Sequence, residues 1–245
     1  MTYVKTIALR EPPRPDSYLA KLPVVRHLAA MERLDVDGSV IFFVGENGTG
    51  KSTLLEAVAV ALGFNPEGGT RNFCFSTRST HSDLCDLLRV GRARNPRDGF
   101  FLRAESFYNV ASNIDEMDEA PSLGGRVVDS YGGVSLHEMS HGESFFALVQ
   151  NRFGGQGLYL LDEPEAALSP ARQMALLAEM HRLVEADSQF IIATHSPILL
   201  AYPGARIYEL TGEGVTETPY EQTEHVQLTR RFLENPERML RYLLT

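Results

Sequence analysis

The sequence contains no apolar run that approaches the roughly 20 residues of a membrane-spanning helix. Its first residues, Met1–Arg10, also lack the basic start and the long apolar stretch of a secretory signal peptide. We therefore expect a cytoplasmic protein that is not itself embedded in a membrane. With 245 residues, 43% of them hydrophobic, the chain can bury a substantial core, and we expect one domain spanning 1–245.

Cysteine is scarce, which excludes a disulfide framework. The two cysteines, Cys74 and Cys85, have His81 between them, so this segment offers at most three zinc ligands. A structural zinc site requires four ligands. We expect two reduced thiols rather than a metal site.

Basic residues are outnumbered, and the net charge of −9 argues against nonspecific nucleic-acid binding by the whole surface. The segment Arg71–Arg103 is an exception, because it holds seven arginines against three aspartates. The arginines are Arg71, Arg78, Arg89, Arg92, Arg94, Arg97 and Arg103. This stretch is interpreted either as a solvated face or as a patch that contacts DNA or an acidic partner.

Short apolar segments alternate with longer helical patterns along the chain. The predicted strands are Val40–Val44, Leu158–Leu161, Phe190–Ala193 and Arg206–Leu210, and the predicted helices include Ser52–Leu62 and Ser169–Ala186. This alternation is typical of an α/β fold, in which a mostly parallel sheet is flanked by helices.

Two other regions do not follow the alternation. Residues 72–136 are predicted to form an inserted, mostly helical or irregular lobe, in which Asp115–Glu119 is a solvated acidic loop. Residues 221–245 are predicted to form two helices, the second capped by Asn235 and starting at Pro236. We expect the apolar face of the second helix (Leu240, Leu243 and Leu244) to pack onto the body rather than bind a partner.

The segment Gly45–Ser52 fits the phosphate-loop pattern G-x-x-x-x-G-K-[ST] at every fixed position. Its glycines leave room for backbone N–H groups to face phosphate oxygens, and the following helix adds the positive end of its dipole. Lys51 would contact the β- and γ-phosphates, and the Ser52 hydroxyl suits Mg²⁺. The residues expected to bind the nucleotide are Asn47, Gly48, Thr49, Gly50, Lys51, Ser52 and Thr53.

A second apolar strand ends in two carboxylates, Asp162 and Glu163. Asp162 can hold Mg²⁺, and Glu163 can orient and deprotonate the attacking water. Because side chains alternate along an extended chain, the two carboxylates are expected to point to opposite sides. His195 follows the next strand, where it is either a satisfied buried histidine or a donor to the γ-phosphate. Together with the phosphate loop, this order favours the functional interpretation and hence ATP hydrolysis.

The segment His137–His141 matches H-E-x-x-H, the zinc-peptidase motif, which requires both histidines on one helical face. Ser140 instead resembles a helix N-cap, with Glu143 placed for a capping box. The two histidines would then straddle a helix start, which disfavours a zinc peptidase.

Read as Met139–Glu143, the same segment resembles the L-S-G-G-Q signature of ABC-type ATPases. Around it lie, in the order of that family, the phosphate loop, Asp162-Glu163-Pro164, a D-loop-like stretch at Ala167–Pro170, and His195. The chain is most similar to small, stand-alone bacterial ATPases of this superfamily. The closer similarity lies in Phe101–Ser106 and Leu160–Pro170.

This resemblance implies a P-loop NTPase that binds ATP and Mg²⁺ and forms a head-to-tail homodimer when ATP is bound. Ser140, Gly142 and Glu143 would then contact the γ-phosphate held by the other subunit. Three departures from the family pattern concern the dimer and the nucleotide contacts. First, the signature has His141 and Glu143 in place of glycine and glutamine. Second, the only candidate for the Q-loop glutamine is Glu105. Third, the only candidates for contact with the adenine ring are Tyr18 and Arg26.

Three functions fit these features: a soluble ATP-driven switch or motor that acts on a macromolecule such as DNA, the ATPase subunit of a membrane transporter, and a non-hydrolysing ATP sensor. The missing coupling glutamine disfavours the transporter. The presence of Glu163 and His195 disfavours the sensor. We therefore expect the first function.

Overall fold

The computed structural model describes residues 2–71, 82–119 and 126–244. Its strands, in chain order, are β1 (Val4–Leu9), β2 (Leu34–Asp35), β3 (Val40–Val44), β4 (Leu88–Arg92), β5 (Asp98–Arg103), β6 (Gly157–Asp162), β7 (Gln189–Ala193), β8 (Arg206–Leu210) and β9 (Val215–Glu217). Its helices are α1 (Pro23–Ala30), α2 (Lys51–Ala61), α3 (Leu84–Leu87), α4 (Phe107–Glu119), α5 (His141–Arg152), α6 (Pro170–Glu185), α7 (Pro197–Leu200), α8 (Glu224–Glu234) and α9 (Pro236–Leu243).

Six strands form the central sheet in the order β5-β6-β7-β3-β8-β9. The first five are parallel, and β9 pairs antiparallel with β8. A smaller antiparallel sheet has the order β2-β1-β4. The predicted α/β fold with a mostly parallel sheet is therefore confirmed, and the four predicted strands lie in the central sheet.

The central sheet is buried on both faces, which explains why its strands are almost continuously apolar. Along β3, Phe42 and Val44 pack on one face with residues of α4, α5 and α6. Ile41 and Phe43 pack on the other face with residues of β1, α1 and α2. This alternation follows from the two-residue period of a strand.

The prediction that residues 72–136 are mostly helical or irregular is wrong for two stretches that the structure describes. The first, β4, pairs with β1 in the small sheet, and the second, β5, is an edge strand of the central sheet next to β6. Asp115–Glu119 is also no loop, because these residues form the end of α4. The reason is burial: Phe100 and Leu102 of β5 have core partners that the local sequence does not reveal.

The C-terminal residues form two helices, and Asn235 caps the second by accepting from the backbone N–H of Arg238, as predicted. The expected packing of this helix onto the body is wrong. No residue of α9 is buried, and Leu243 and Leu244 are 70% and 80% exposed. Val226 is the residue of α8 that reaches the core. Helix α8 ends before Asn235, the N-cap residue of α9.

No helix among residues 2–71, 82–119 and 126–244 is both long and apolar enough to cross a bilayer.

Candidate active site

Three neighbouring strands bring the predicted motifs to one edge of the sheet. The phosphate loop follows β3, Asp162 ends β6, and His195 lies just beyond β7. Because these strands are parallel and adjacent, their carboxyl ends meet at one edge, where open α/β sheets bind ligands. The structure thus brings together the phosphate loop, the two carboxylates and His195.

The shape of the phosphate loop depends on glycine at two positions. Gly50 has φ 99°, and a β-carbon there would lie 2.5 Å from Cγ1 of Val24 on α1. Gly48 has φ 83°, a region that favours glycine, and open space lies around the position of its missing side chain. The loop therefore presents backbone rather than side chains toward the space in front of it.

Lys51 is the first residue of α2, and its ammonium group folds back over the loop. Nζ donates to the carbonyl oxygens of Gly45 and Glu46, at 2.7 and 2.9 Å. The residue is only 4% exposed, and burial lowers its pKa, while the nearby Glu163 and Asp162 act in the opposite direction. A buried cation that is held by carbonyl oxygens is placed to take an anionic ligand.

The other predicted nucleotide-binding residues lie in the loop and in the first turn of α2. The hydroxyl of Thr49 donates to the carbonyl oxygen of Glu46 at 2.9 Å, which tightens the loop. Asn47 lines the adjoining cleft. Ser52 and Thr53 are half-buried in the first turn of α2.

Ser52 and Asp162 fit a magnesium ion. Their side chains are hydrogen-bonded to each other, and Asp162 is 5% exposed with a buried Oδ1 that has no hydrogen-bond partner among the described residues. Burial raises the pKa of Asp162 to about 6, although Arg103 and Ser52 act to lower it. A hydroxyl beside a buried carboxylate oxygen without a partner is a suitable pair of hard ligands for Mg²⁺.

Arg103 also belongs to this site, and sequence reasoning placed it in a surface patch. It ends β5, where its Nη1 lies 2.6 Å from Oε2 of Glu56 and its Nε lies 3.5 Å from Oδ2 of Asp162. The side chain is largely buried, so the interpretation as a patch residue is wrong for Arg103. The positive charge of its guanidinium therefore lies beside the Asp162 carboxylate.

Glu163 has a left-handed backbone, with φ 50° and ψ 51°. The expectation of an extended chain here is therefore wrong, although the two carboxylates do separate, with Asp162 buried against Ser52 and Glu163 38% exposed. The backbone N–H of Glu163 donates to the carbonyl oxygen of Ala193 at 2.9 Å, which fixes this conformation. Strained backbone of this kind is concentrated at functional sites.

His195 is held at both its backbone and its ring. Its backbone N–H donates to Oε1 of the half-buried Glu165 at 2.5 Å. In the ring, Nε2 lies 3.5 Å from Oε1 of Glu163, and Nδ1 lies 3.1 Å from Nε2 of His225. Burial lowers the pKa of His195, followed by the charge of Lys51 and the nearness of His225, while Glu163 opposes them.

A cleft of about 520 Å³ opens between these groups, lined by Glu46, Asn47, Glu163, His195 and His225. Such a volume lies within the ordinary range of ligand sites. His225 completes its wall, and Glu165 holds the His195 backbone. Sequence reasoning identified neither of them as functional. Glu165 lies two residues beyond Glu163 and could have been noticed, whereas only the fold brings His225 to this site.

The signature segment begins α5 as predicted, with Ser140 as the N-cap. Glu143 accepts from the Ser140 backbone N–H and hydroxyl, at 3.1 and 2.6 Å, and its other oxygen lies 3.3 Å from Nη2 of Arg172. A β-carbon at Gly142 would lie 2.7 Å from the carbonyl oxygen of Ala167 in the D-loop-like stretch.

The two histidines of the H-E-x-x-H match lie on different elements, as predicted. His137 belongs to a 3₁₀ turn at Leu136–Glu138, whereas His141 is the first residue of α5. Among the residues that the structure describes, no group of three His, Cys, Asp or Glu side chains forms a metal cluster. Cys74 and His81 lie outside those residues, and Cys85 is a half-buried free thiol.

The weaker sequence candidates have defined positions. Glu105 is an exposed residue just after β5, with its Oε2 3.6 Å from Nη2 of Arg103. Tyr18 is exposed, and its hydroxyl donates to Oγ of Ser82 at 2.9 Å. Arg26 is exposed on α1, the helix that contacts the phosphate loop. A role for Glu105 as the Q-loop equivalent and for Tyr18 and Arg26 at adenine stays a prediction.

The arginine-rich segment is divided between surface and interior. Arg71, Arg89, Arg92 and Arg97 are exposed. Arg94 is half-buried, with its guanidinium 4.3 Å above the ring of Tyr3. Arg78 lies outside the described residues.

Comparison with known proteins gives two matching family models. The model described as "AAA domain, putative AbiEii toxin, Type IV TA system" matches residues 75–201, which is just over half of the chain. A second model, described as "AAA domain", matches residues 27–90.

Two relatives share most of their length with this chain. The hemin import ATP-binding protein HmuV of Rhodopseudomonas palustris (strain BisB5) is 31% identical over 192 residues, which cover 71% of this chain and 72% of that protein. The cytochrome c biogenesis ATP-binding export protein CcmA of Legionella pneumophila is 28% identical over 173 residues, which cover 66% of this chain and 82% of that protein.

The fold is also similar to that of solved structures. CbiO1 from Clostridium perfringens, part of the ABC transporter complex CbiONQ, aligns over 100% of both chains with a TM-score of 0.52 and 15% identity.

Proposed function

Because this chain belongs to the ABC-type family of P-loop ATP-binding domains, we propose that it binds ATP with Mg²⁺ and hydrolyses it to ADP and phosphate. In the ATP-bound state it closes into a head-to-tail homodimer, and this cycle makes it a switch or motor acting on a macromolecular partner. One observation carries the proposal: a buried lysine, a Ser–Asp pair and a Glu–His pair meet at one edge of the sheet beside the phosphate loop.

Binding depends on the phosphate loop and α2. The backbone N–H groups of residues 47–52 and the start of α2 face the β- and γ-phosphates, and the Lys51 ammonium exchanges its carbonyl partners for phosphate oxygens. Ser52 and Asp162 would hold Mg²⁺, which would supply positive charge against the phosphates. On Asp162 the oxygen available for it is Oδ1, which has no hydrogen-bond partner among the described residues.

Hydrolysis depends on Glu163 and His195. The Glu163 carboxylate faces the cleft, where it orients the attacking water and takes its proton. His195 lies next to it, 3.5 Å away, and donates a hydrogen bond from Nε2 to the γ-phosphate. The fixed backbones of both residues hold these side chains before the nucleotide arrives.

Dimerisation depends on the signature helix. Ser140 and the first N–H groups of α5 form a helix N-terminus that faces the γ-phosphate of the other subunit. The negative charge of Glu143 does not prevent this contact, since its carboxylate turns back onto Ser140 and lies beside Arg172.

The substitution Glu163→Gln tests the proposal, because it removes the base and keeps the side-chain shape. We expect turnover to fall at least 100-fold while ATP binding persists and the protein accumulates as a dimer with Mg-ATP, measured by phosphate release and light scattering. Glu213→Gln is the matched control, because Glu213 is an exposed glutamate in a surface turn. If Glu163→Gln hydrolysed ATP as fast as the wild type, Glu163 would not be the base. If the wild type itself showed no phosphate release, the proposal of hydrolysis would be refuted.

DNA is the partner that the exposed basic residues favour. Arg89 and Arg92 of β4 are exposed on an edge strand of the small sheet. Partial burial lowers the pKa of Arg71, and the nearby charge of Arg92 lowers it further. We expect double-stranded DNA to stimulate turnover, salt to suppress this stimulation, and the double substitution Arg89→Ala/Arg92→Ala to remove it. Stimulation that survives the double substitution would rule out this surface.

The second candidate function is the ATPase subunit of a membrane transporter. It is supported by the names of the relatives, which are import and export proteins. A transporter subunit sediments with membranes through a membrane-protein partner, whereas the proposed switch stays in the supernatant with its macromolecular partner. Fractionation of cell extracts, followed by identification of the proteins that co-purify, decides between them.

A further inference from the structure

His225, near the C-terminal end of the sequence, contacts His195, the residue proposed to donate a hydrogen bond to the γ-phosphate. Its Nε2 lies 3.1 Å from Nδ1 of His195, and the two ring centroids are 5.1 Å apart at an angle of 50°. The Nδ1 of His225 is buried and makes no hydrogen bond within the described part of the chain. Its contact with His195 is therefore the hydrogen bond that this ring makes.

The backbone around His225 is fixed to the elements that carry the site. Thr223, the N-cap residue of α8, is buried, and the backbone N–H of Glu224 donates to Oε1 of Glu209 at the end of β8. Val226 is in the core. The first turn of α8 therefore holds the His225 ring in place against His195.

The chemistry of imidazole gives this contact a consequence. A neutral imidazole has one N–H donor and one acceptor nitrogen, so a hydrogen bond at one nitrogen decides which proton the ring carries. If His195 is to donate from Nε2, its Nδ1 must be the acceptor. A donor at Nδ1 would secure this tautomer, and His225 is the group that faces that atom.

We propose that His225 is a positioning residue, whose Nε2–H donates to Nδ1 of His195 and thereby fixes the tautomer and ring orientation that hydrolysis requires. This proposal rests on the proposed function for the role of His195. It makes the start of the C-terminal helix pair part of the hydrolytic apparatus. In this tautomer the buried Nε2–H of His195 faces the Glu163 carboxylate, whose Oε1 lies 3.5 Å away. The buried Nδ1 of His225 then carries a lone pair, and an acceptor nitrogen loses less by lacking a partner than an N–H donor would.

The tautomer itself is the first test, and it needs neither nucleotide nor turnover. Long-range proton–nitrogen NMR correlations of the ligand-free wild-type protein, assigned with a His195→Gln variant, should show the proton of His195 on Nε2. In His225→Ala this preference should weaken. A proton on Nδ1 of His195 in the wild type would overturn the proposal.

Kinetics is the second test. We expect His225→Ala to lower kcat roughly 10- to 100-fold, by analogy with the loss of hydrogen-bond partners that orient metal-bound histidines, with the KM for ATP within about twofold. His225→Gln keeps an N–H donor and should recover most of kcat. His181→Ala is the control, because His181 is an exposed histidine whose Nδ1 contacts the Tyr202 hydroxyl instead, 3.4 Å away.

The outcomes separate this proposal from the proposed function. If the wild type hydrolyses ATP and His225→Ala keeps the full kcat, the positioning role alone is overturned. The same holds if the Ala and Gln variants are equally impaired. A wild type without turnover refutes hydrolysis, and the tautomer measurement then still decides what His225 does to His195.

Discussion

The hydroxyl of Ser140 donates to Oε2 of Glu143, 2.6 Å away, so the residue expected to reach across to a second subunit is bonded within its own helix start. The backbone N–H of Ser140 donates to the same oxygen, and these two contacts lower the pKa of Glu143, with Arg172 adding to the effect. Glu143 therefore stays ionised at neutral pH and occupies the Ser140 hydroxyl before any dimer forms.

Substitution of Glu143 should strengthen the ATP-bound dimer. Glu143→Gln keeps the hydrogen-bonding geometry of a capping box but removes a negative charge at the helix start that the γ-phosphate of the other subunit would approach. In the Glu163→Gln background we expect the dimer dissociation constant with Mg-ATP to fall by roughly three- to tenfold, measured by analytical ultracentrifugation. Glu138→Gln removes an exposed charge nearby and should leave the constant unchanged. A weaker dimer in the Glu143 variant would show that the carboxylate contributes to the interface.

Removal of the Lys51 ammonium should abolish nucleotide binding without unfolding the protein. Lys51→Ala takes away the buried charge that the loop carbonyls hold at 2.7 and 2.9 Å. We expect no measurable heat of Mg-ATP association by calorimetry and an unchanged circular-dichroism spectrum. Lys5→Ala, at an exposed lysine paired with Asp37, should bind like the wild type. Normal affinity in the Lys51 variant would contradict the phosphate-loop assignment.

The raised pKa of Asp162 predicts how stability depends on pH. Burial raises this pKa from the ordinary 3.8 to about 6. As pH rises, the unfolded state releases the proton first, so the ligand-free protein loses stability up to about pH 6. Asp162→Asn avoids this loss and should increase the free energy of unfolding at pH 8 by about 1–3 kcal/mol.

Urea unfolding of the ligand-free proteins at pH 5 and pH 8 measures this effect. The advantage of the Asn variant over the wild type should shrink at pH 5, and the variant should lose the stabilisation that Mg-ATP gives the wild type. Asp16→Asn, at an exposed aspartate, provides the control. An Asn variant less stable than the wild type at pH 8 would show that the buried carboxylate is favoured rather than costly.

A second carboxylate, that of the half-buried Asp98, should behave in the opposite way. Burial alone would raise its pKa, but Arg152 at 2.8 Å, the Gly154 N–H and the Tyr159 hydroxyl outweigh burial and lower it. Its stabilising effect is thus present above its ordinary pKa and is lost as pH falls through the lower pKa of the folded state. Asp98→Asn takes the carboxylate away from Arg152 and leaves this arginine with the Tyr131 side chain. We expect a loss of about 2–3 kcal/mol at pH 7 by urea unfolding.

Tyr159→Phe is the companion variant for this network. It removes only the hydroxyl that donates to Asp98 at 2.8 Å and keeps the ring stacked on Phe153. A loss of about 1 kcal/mol is expected. Equal losses in the Asp98 and Tyr159 variants would contradict a dominant ion pair with Arg152.

The features that the sequence predicts well are those encoded over a few consecutive residues. The phosphate loop, the strand that ends at Asp162 and the capping box at Ser140 each depend on neighbours within about one turn or one strand. Their side-chain types and their spacing therefore suffice to locate them, and the structure places them as expected.

The features that the sequence does not predict join distant parts of the chain. In the small sheet, Thr6 of β1 pairs with Gly91 of β4, and no local pattern records this register. Arg103 looks like one more surface arginine until β5 places it beside Asp162. His225 follows an ordinary N-cap threonine, and only the return of α8 to β8 brings its ring to His195. The αL backbone of Glu163 likewise depends on the hydrogen bond to Ala193 across the sheet.

At Gly142 a hydrogen atom occupies a gap in which a methyl group would strike the carbonyl of Ala167. The start of α5 and the D-loop-like stretch are consequently in direct contact here, so neither can move toward the other without displacing it. A larger side chain at position 142 would therefore force α5 outward. The helix start that a second copy would meet would move with it.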